Sequence, residues 1–260
     1  MLIHPTACVD SEAQLAEDVR IGPHAIIESG VVIGPGCRIQ AHAVIHRQVR
    51  MGANNQVHPH AVLGGLPQDL GFNPDTLTWL DIGEGNVFRE GVTVNRATRA
   101  GGSTRLGSFN YLMNNSHVAH DCQLGDRNIL ASGATLGGHV TVGDRVFLGG
   151  GVMVHQFCRI GSLAMLQGLA GINKDALPYT MIGGRPGKHY RLNLVGLRRA
   201  GISSESIRIL SQAYRCLRQR EPLTGLTDCP ELAGLQRWLA VPSKRGGLLG
   251  FITAGHHEAE

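Results

Sequence analysis

Residues 114–125 read NNSHVAHDCQLG, which sets His117 and His120 three apart and puts Asp121 directly beside the second histidine. An imidazole next to a carboxylate can have its tautomer fixed and then take a proton from a hydroxyl near neutral pH. The same residues could instead ligate a metal, or stand as solvated surface groups. Further along, GGHV at 137–140 and VHQF at 154–157 add Gly138, His139, His155 and Gln156. A glycine N–H beside a histidine base could hold the oxyanion formed in acyl transfer. Which chemistry is available depends on the scaffold that brings these segments together.

That scaffold is written in a six-residue period. Stepping by six from Ile3 meets only apolar residues as far as Leu63. Four places after each comes a mostly small one, such as Ala7, Ala13, Ala25, Cys37 and Ala43, with Asn55 as a polar exception. The pattern restarts in shifted phase at Ile82, skips at Ala100, and runs from Leu106 to Ile172. A period of six fits neither an amphipathic helix nor an alternating strand. It fits an all-β fold, a parallel β-helix in which each hexapeptide makes one short strand and one corner. Three hexapeptides close a triangular coil, so residues 18 apart stack.

By that rule, His120, Gly138 and Gln156 form one column, Ala119, Gly137 and His155 a second, and Asp121, His139 and Phe157 a third. Two glycines in the middle of the patch predict a hollow with accessible backbone N–H groups. Cys37, Cys122 and Cys158 fall at the small interior position and read as buried hydrophobes. The repeat predicts a β-helix over 1–178, with insertions at 64–81 and 99–105 that can carry binding residues. Residues 179–260 read as a helical domain, with helices in 192–201, 203–220 and 229–241 and a frayed end at GHHEAE.

Composition excludes several classes. A net charge of +4 is too mild for a nucleic-acid footprint. No stretch approaches a spanning helix, so membrane insertion is not expected, and the start lacks the features of a signal peptide. The cysteine spacing does not suggest a disulfide framework, and the expected location is cytoplasmic.

The motifs GLPQDL at 65–70, NSHVAHDC at 115–122, GGHVTVGD at 137–144, VHQFCRIG at 154–161 and NLVGLRRAGIS at 193–203 carry a resemblance over essentially the whole chain. It is to the UDP-N-acetylglucosamine O-acyltransferases of lipid A biosynthesis. The resemblance implies a left-handed β-helix, a homotrimer with sites between subunits, and no metal or organic cofactor. It implies transfer of an (R)-3-hydroxyacyl chain from acyl carrier protein to the sugar 3-hydroxyl. His120 then matches the general base, Asp121 its support and Gly138 the oxyanion donor. Gln68, Asp69, His117, His139, His155 and Gln156 match positions lining the substrate pocket. Asn193, Arg198 and Arg199 match the region of the uridine and phosphate, and Gly168 a position that sets acyl length.

Gly71, Val195 and Ala200 depart from the family pattern. They leave a variant acceptor, such as a 3-amino sugar nucleotide, as an alternative; a non-catalytic trimeric binding protein is another. A zinc site like that of the gamma-class carbonic anhydrases, which share only the repeat, fits poorly because His117 and His120 are too close in sequence and occupy different corners. Arg198, Arg199, Arg208, Arg215, Arg218 and Arg220 read as a docking surface for acidic acyl carrier protein.

Overall fold

The structure is a computed structural model that describes residues 2–252; the GHHEAE end, expected to fray, lies outside the described residues. Strands of mostly two residues alternate with tight turns from Leu2–Ile3 to Gly171–Ile172. They stack into three faces of 12, nine and eight strands, each face taking every third strand of the repeat, and the coil is a left-handed parallel β-helix. Where the repeat is unbroken the register is 18 residues: Leu2 pairs with Arg20, His117 with Thr135, and Thr135 with Met153.

The two interruptions change the count and leave the stacking intact. Gln56 pairs with Val87 and Thr93 with His117, so the separation grows to 31 and then to 24 before returning to 18. The strands Trp79–Ile82 and Ser103–Leu106 begin inside the segments 64–81 and 99–105. The excursions themselves are therefore 66–78 and 96–102. Leu80 and Thr104 are fully buried in the ladder, and this burial holds those ends in register.

The interior is a column of Ile, Leu and Val with small residues at the corners, including fully buried Cys37, Cys122 and Cys158. One residue in most hexapeptides takes a left-handed conformation to turn the corner; Asp121 (φ 60°), His139 (φ 60°) and Phe157 (φ 67°) are three of them. Asn55 begins a buried column with Asn86, Asn110 and Asn128. Asn86 donates its backbone N–H and its Nδ2 to Asn55 Oδ1, and Asn110 does the same to Asn86 Oδ1. Asn128 and Val146 continue the chain with their backbone N–H groups.

The 12-stranded face carries on past residue 178. Thr180–Gly183 adds in parallel, Lys188–Leu192 adds antiparallel, and Gly250–Phe251 closes that edge. Helices α1 (Leu194–Arg199), α2 (Ser204–Gln219) and α3 (Pro230–Ala240) pack a second core around Leu197, Leu210, Leu232 and Leu235. Ser203 caps α2 by accepting from the Ser206 N–H, and the helix ends where Arg220 turns left-handed.

Candidate active site

The nine-stranded face carries a groove of about 730 Å³. Gln68, His117, His120, Gly138, His155 and Gln156 all line it. Its floor is the outward side of strands His117–Val118, Thr135–Leu136 and Met153–Val154, three successive rungs. Its far end is made by Gly171, Asn173, Arg185 and Pro186. Another open trough, of about 780 Å³, runs along the eight-stranded face past Arg50, Asp81 and Arg105, and no histidine or cysteine lines it.

His120 and Asp121 sit at the rim, with side chains only 13% and 12% exposed. His120 Nδ1 lies 2.8 Å from Asp121 Oδ2. An ionised carboxylate only accepts, so Nδ1 carries the hydrogen and Nε2 keeps its lone pair for the groove. Burial raises the affinity of Asp121 for a proton. Hydrogen bonds from the Thr98 hydroxyl, His120 and the Thr98 N–H outweigh it, with help from His139, and the carboxyl lies below its ordinary value. The corner itself is pinned, because the Asp121 N–H donates to Thr104 Oγ1 at 2.7 Å.

Gly138 lies against the ring of His120. A Cβ there would stand 2.5 Å from Cε1 and 2.7 Å from Nε2 of the imidazole, so any larger residue would have to displace the ring. Both of the paired glycines line the groove, but they do not both leave a backbone N–H free. The Gly137 N–H is spent on Val154 O in the ladder, whereas the Gly138 N–H donates to no group among the described residues. One of the two backbone donors, not both, is therefore uncommitted in the groove lining.

The other histidines are held separately. His117 Nδ1 is 2.7 Å from Thr93 Oγ1, and burial, with the nearby His120, pushes its pKa down. His139 stacks on Phe157 with centroids 4.6 Å apart and meets the edge of His120. Burial lowers its pKa, although Asp121 opposes that. His155 is exposed and near Gln156 O.

His120, Asp121 and His139 together offer three donor atoms within 4.8 Å of one another. Oδ2 already accepts from His120 Nδ1 and from Thr98 Oγ1. As it stands, the set is a hydrogen-bonded cluster in which a carboxylate orients an imidazole.

Other residues singled out in the sequence lie off this groove. Asp69 is exposed and accepts the Gly71 N–H in a turn of the first excursion, beside the groove residue Gln68. Gly168 stands at the corner between the 12- and nine-stranded faces, where a Cβ would meet Gly150 O at 3.4 Å. Asn193 caps α1, accepting from Gly196 and donating to Leu163 O. Arg198 and Arg199 are exposed on α1, and Arg208 is already paired with Glu205.

Sequence reading missed Thr93 and Thr98. Thr93 lies before the 96–102 excursion and Thr98 within it, so counting in eighteens from the histidines cannot place them.

Comparison with known proteins adds an independent line. Residues 175–237 match the family model described as UDP N-acetylglucosamine O-acyltransferase, domain 2. Residues 12–47 and 103–138 match the bacterial transferase hexapeptide model. An acyl-[acyl-carrier-protein]–UDP-N-acetylglucosamine O-acyltransferase from Alkalilimnicola ehrlichii is 51% identical over 216 residues, 83% of each chain. One from Anaeromyxobacter sp. strain K is 48% identical over 216 residues, covering 83% of this chain and 84% of that one. Among solved structures, the UDP-N-acetylglucosamine acyltransferase from Bacteroides fragilis superposes with a TM-score of 0.89 at 34% identity, covering 95% of this chain and 99% of that one.

Proposed function

From the premise that the chain belongs to the UDP-N-acetylglucosamine O-acyltransferase family, we propose that the His120 groove is where it moves an acyl chain between two substrates. The enzyme transfers an (R)-3-hydroxyacyl group from acyl carrier protein to the 3-hydroxyl of UDP-N-acetylglucosamine. His120 Nε2 takes the proton of the sugar hydroxyl as its oxygen attacks the thioester carbonyl. The Gly138 N–H receives the oxyanion that forms. When the intermediate collapses, the C–S bond breaks and the thiolate leaves with the proton from His120. Asp121 stays ionised and holds the imidazole in the tautomer that begins the cycle.

The observation that carries this reading is the His120–Asp121 hydrogen bond at 2.8 Å beside a glycine whose N–H is uncommitted. Each step uses a group already in place, and none calls for a metal or an organic cofactor. The groove floor, with exposed Met153 and the glycines at 137 and 171, suits an alkyl chain.

Two of the three faces look outward with apolar residues. Val87, Tyr111, Ile129, Phe147 and Met165 form a stripe on the 12-stranded face, and Ile26, Val44 and Val62 on the nine-stranded one. The eight-stranded face presents Arg50, Asp81, Arg105 and Gln123 instead. On the coils of the longer stripe the nine-stranded face carries the groove, with Thr93, His117, Thr135 and Met153, so a closed ring of three copies suits it, in which a neighbour's stripe would roof the groove. Exposed Arg198, Arg199, Arg215, Arg218 and Arg220 suit an acidic carrier protein. Such a reaction belongs in the cytoplasm, and the six cysteines are unpaired.

The test is turnover of (R)-3-hydroxyacyl carrier protein with UDP-N-acetylglucosamine. Wild type is expected to form the 3-O-ester, and His120→Ala to lose at least about 10²-fold in kcat. Full activity in His120→Ala would remove His120 as the base.

A further inference from the structure

The carboxylate of Asp121 receives more hydrogen bonds than His120 alone can explain. Thr98 Oγ1 is 2.7 Å from Oδ2, and the Thr98 N–H lies 3.2 Å from Oδ2 and 3.3 Å from Oδ1. Thr98 is delivered by the 96–102 excursion, and that excursion is itself tied down. The N–H groups of Arg96, Ala97 and Gly101 donate to Gly65, Trp79 and Leu77 at the base of the first excursion. Arg96 is buried, bonds Gln48 and Pro74 O, and lies over the ring of Phe72.

We propose that Thr98 is a positioning residue for the acid–base pair, and that the six residues added to the coil at the second excursion serve to deliver its hydroxyl to Asp121. A carboxylate with a free oxygen can rotate about χ2 and release its histidine. Here the Thr98 N–H bridges both oxygens, and its hydroxyl occupies a second lone pair of Oδ2. The same oxygen meets His120 Nδ1 at 2.8 Å. Oδ2 is thereby fixed as the oxygen that meets Nδ1, and Nε2 is kept as the acceptor. The inference rests on the acyl-transfer reading for its kinetic consequences, but the hydrogen-bond geometry stands without it.

The charged groups facing the pair are few. His117 comes from the strand one coil side, His139 from the corner above with Nε2 3.6 Å from Oδ2, and Arg99 and Lys244 act on His139 from the excursion and the segment after α3. All of them remain when only the Thr98 hydroxyl is removed.

Thr98→Val keeps the shape and deletes the donor; Thr98→Ser keeps the donor. With Val, kcat is expected to fall about 10- to 100-fold while KM for both substrates stays within about twofold. The acidic limb of kcat/KM should move to higher pH, because a carboxylate that has lost a donor holds the shared proton more tightly. Ser should restore kcat and the limb. A Val variant with wild-type kcat and an unmoved limb overturns the proposal, as does a Ser variant that behaves like Val.

The proton signal of the His120 Nδ1–H, read by NMR without substrate, separates this from failure of the acyl-transfer reading. It should be sharp in wild type and Ser and broadened in Val, whichever sugar is turned over. An equally sharp signal in Val overturns the proposal even if no turnover is seen in any form.

Discussion

In the proposed reaction Gly138 answers to two demands at once: its N–H stays free for the oxyanion, and its missing side chain makes room for the His120 ring. Its backbone conformation is not left-handed, so alanine can be built there without strain, and only the imidazole objects. Gly138→Ala is therefore expected to fold with a melting temperature within a few degrees of wild type. It should lose at least about 10²-fold in kcat/KM as the ring is pushed off Asp121. A fully active alanine variant would show that the ring does not sit against residue 138 during turnover. The columns His120–Gly138–Gln156 and Asp121–His139–Phe157 could be read by counting, since no insertion falls between residues 117 and 157. Thr98 could not, because its partner is 23 residues away and the loop between obeys no repeat. Nor could counting show that Gly137 spends its N–H on the ladder, since period and residue type are the same for both glycines.

Among the elements, the C-terminal edge of the 12-stranded face depends on the neutral form of one buried histidine. Leu177 N–H donates to His189 Nε2 at 2.9 Å, and Nδ1 lies 3.1 Å from Leu249 O. Both bonds exist only with the proton on Nδ1, since a second proton would set Nε2–H against an N–H. Burial pushes the pKa of His189 down to about 4. A histidine with a depressed folded pKa binds more protons when unfolded, so stability is full above the ordinary value near 6.5 and falls with pH toward 4. The whole loss is about 3 kcal/mol. The melting temperature of wild type should fall over that window, and His189→Gln should flatten the fall; parallel pH profiles would mean another group is responsible. The three helices and the hexapeptide strands were legible from periodicity. The antiparallel strand Lys188–Leu192 was not, because GGRPGKHY carries turn residues and no repeat. Tertiary pairing with Thr180–Gly183 makes it a strand.

At the scale of the whole molecule, the proposed ring of three copies would close through the outward stripe on the 12-stranded face. Phe147 lies within it, between Ile129 and Met165. Phe147→Asp should convert a trimer into monomers in sedimentation, with the β-helix retained in circular dichroism, since residue 147 faces away from the interior. Turnover should fall with the trimer if a neighbour roofs the groove. A Phe147→Asp protein that still sediments as three copies would move the contact to another face.

The asparagine column has a consequence for how such a repetitive chain finds a single arrangement. A solenoid of look-alike hexapeptides invites slippage: moving a stretch by six residues puts one isoleucine where another was and forfeits little burial. Asn55, Asn86, Asn110 and Asn128 do not share that indifference, because each buried Oδ1 accepts from an asparagine or a backbone N–H on the next coil. A six-residue slip would carry buried amides to a corner lined by alanine and valine, stranding several of them at about 1–3 kcal/mol each. The interior thus carries its own key to the correct alignment. It runs through the coils that contain both excursions, where miscounting would otherwise pull Thr98 away from Asp121.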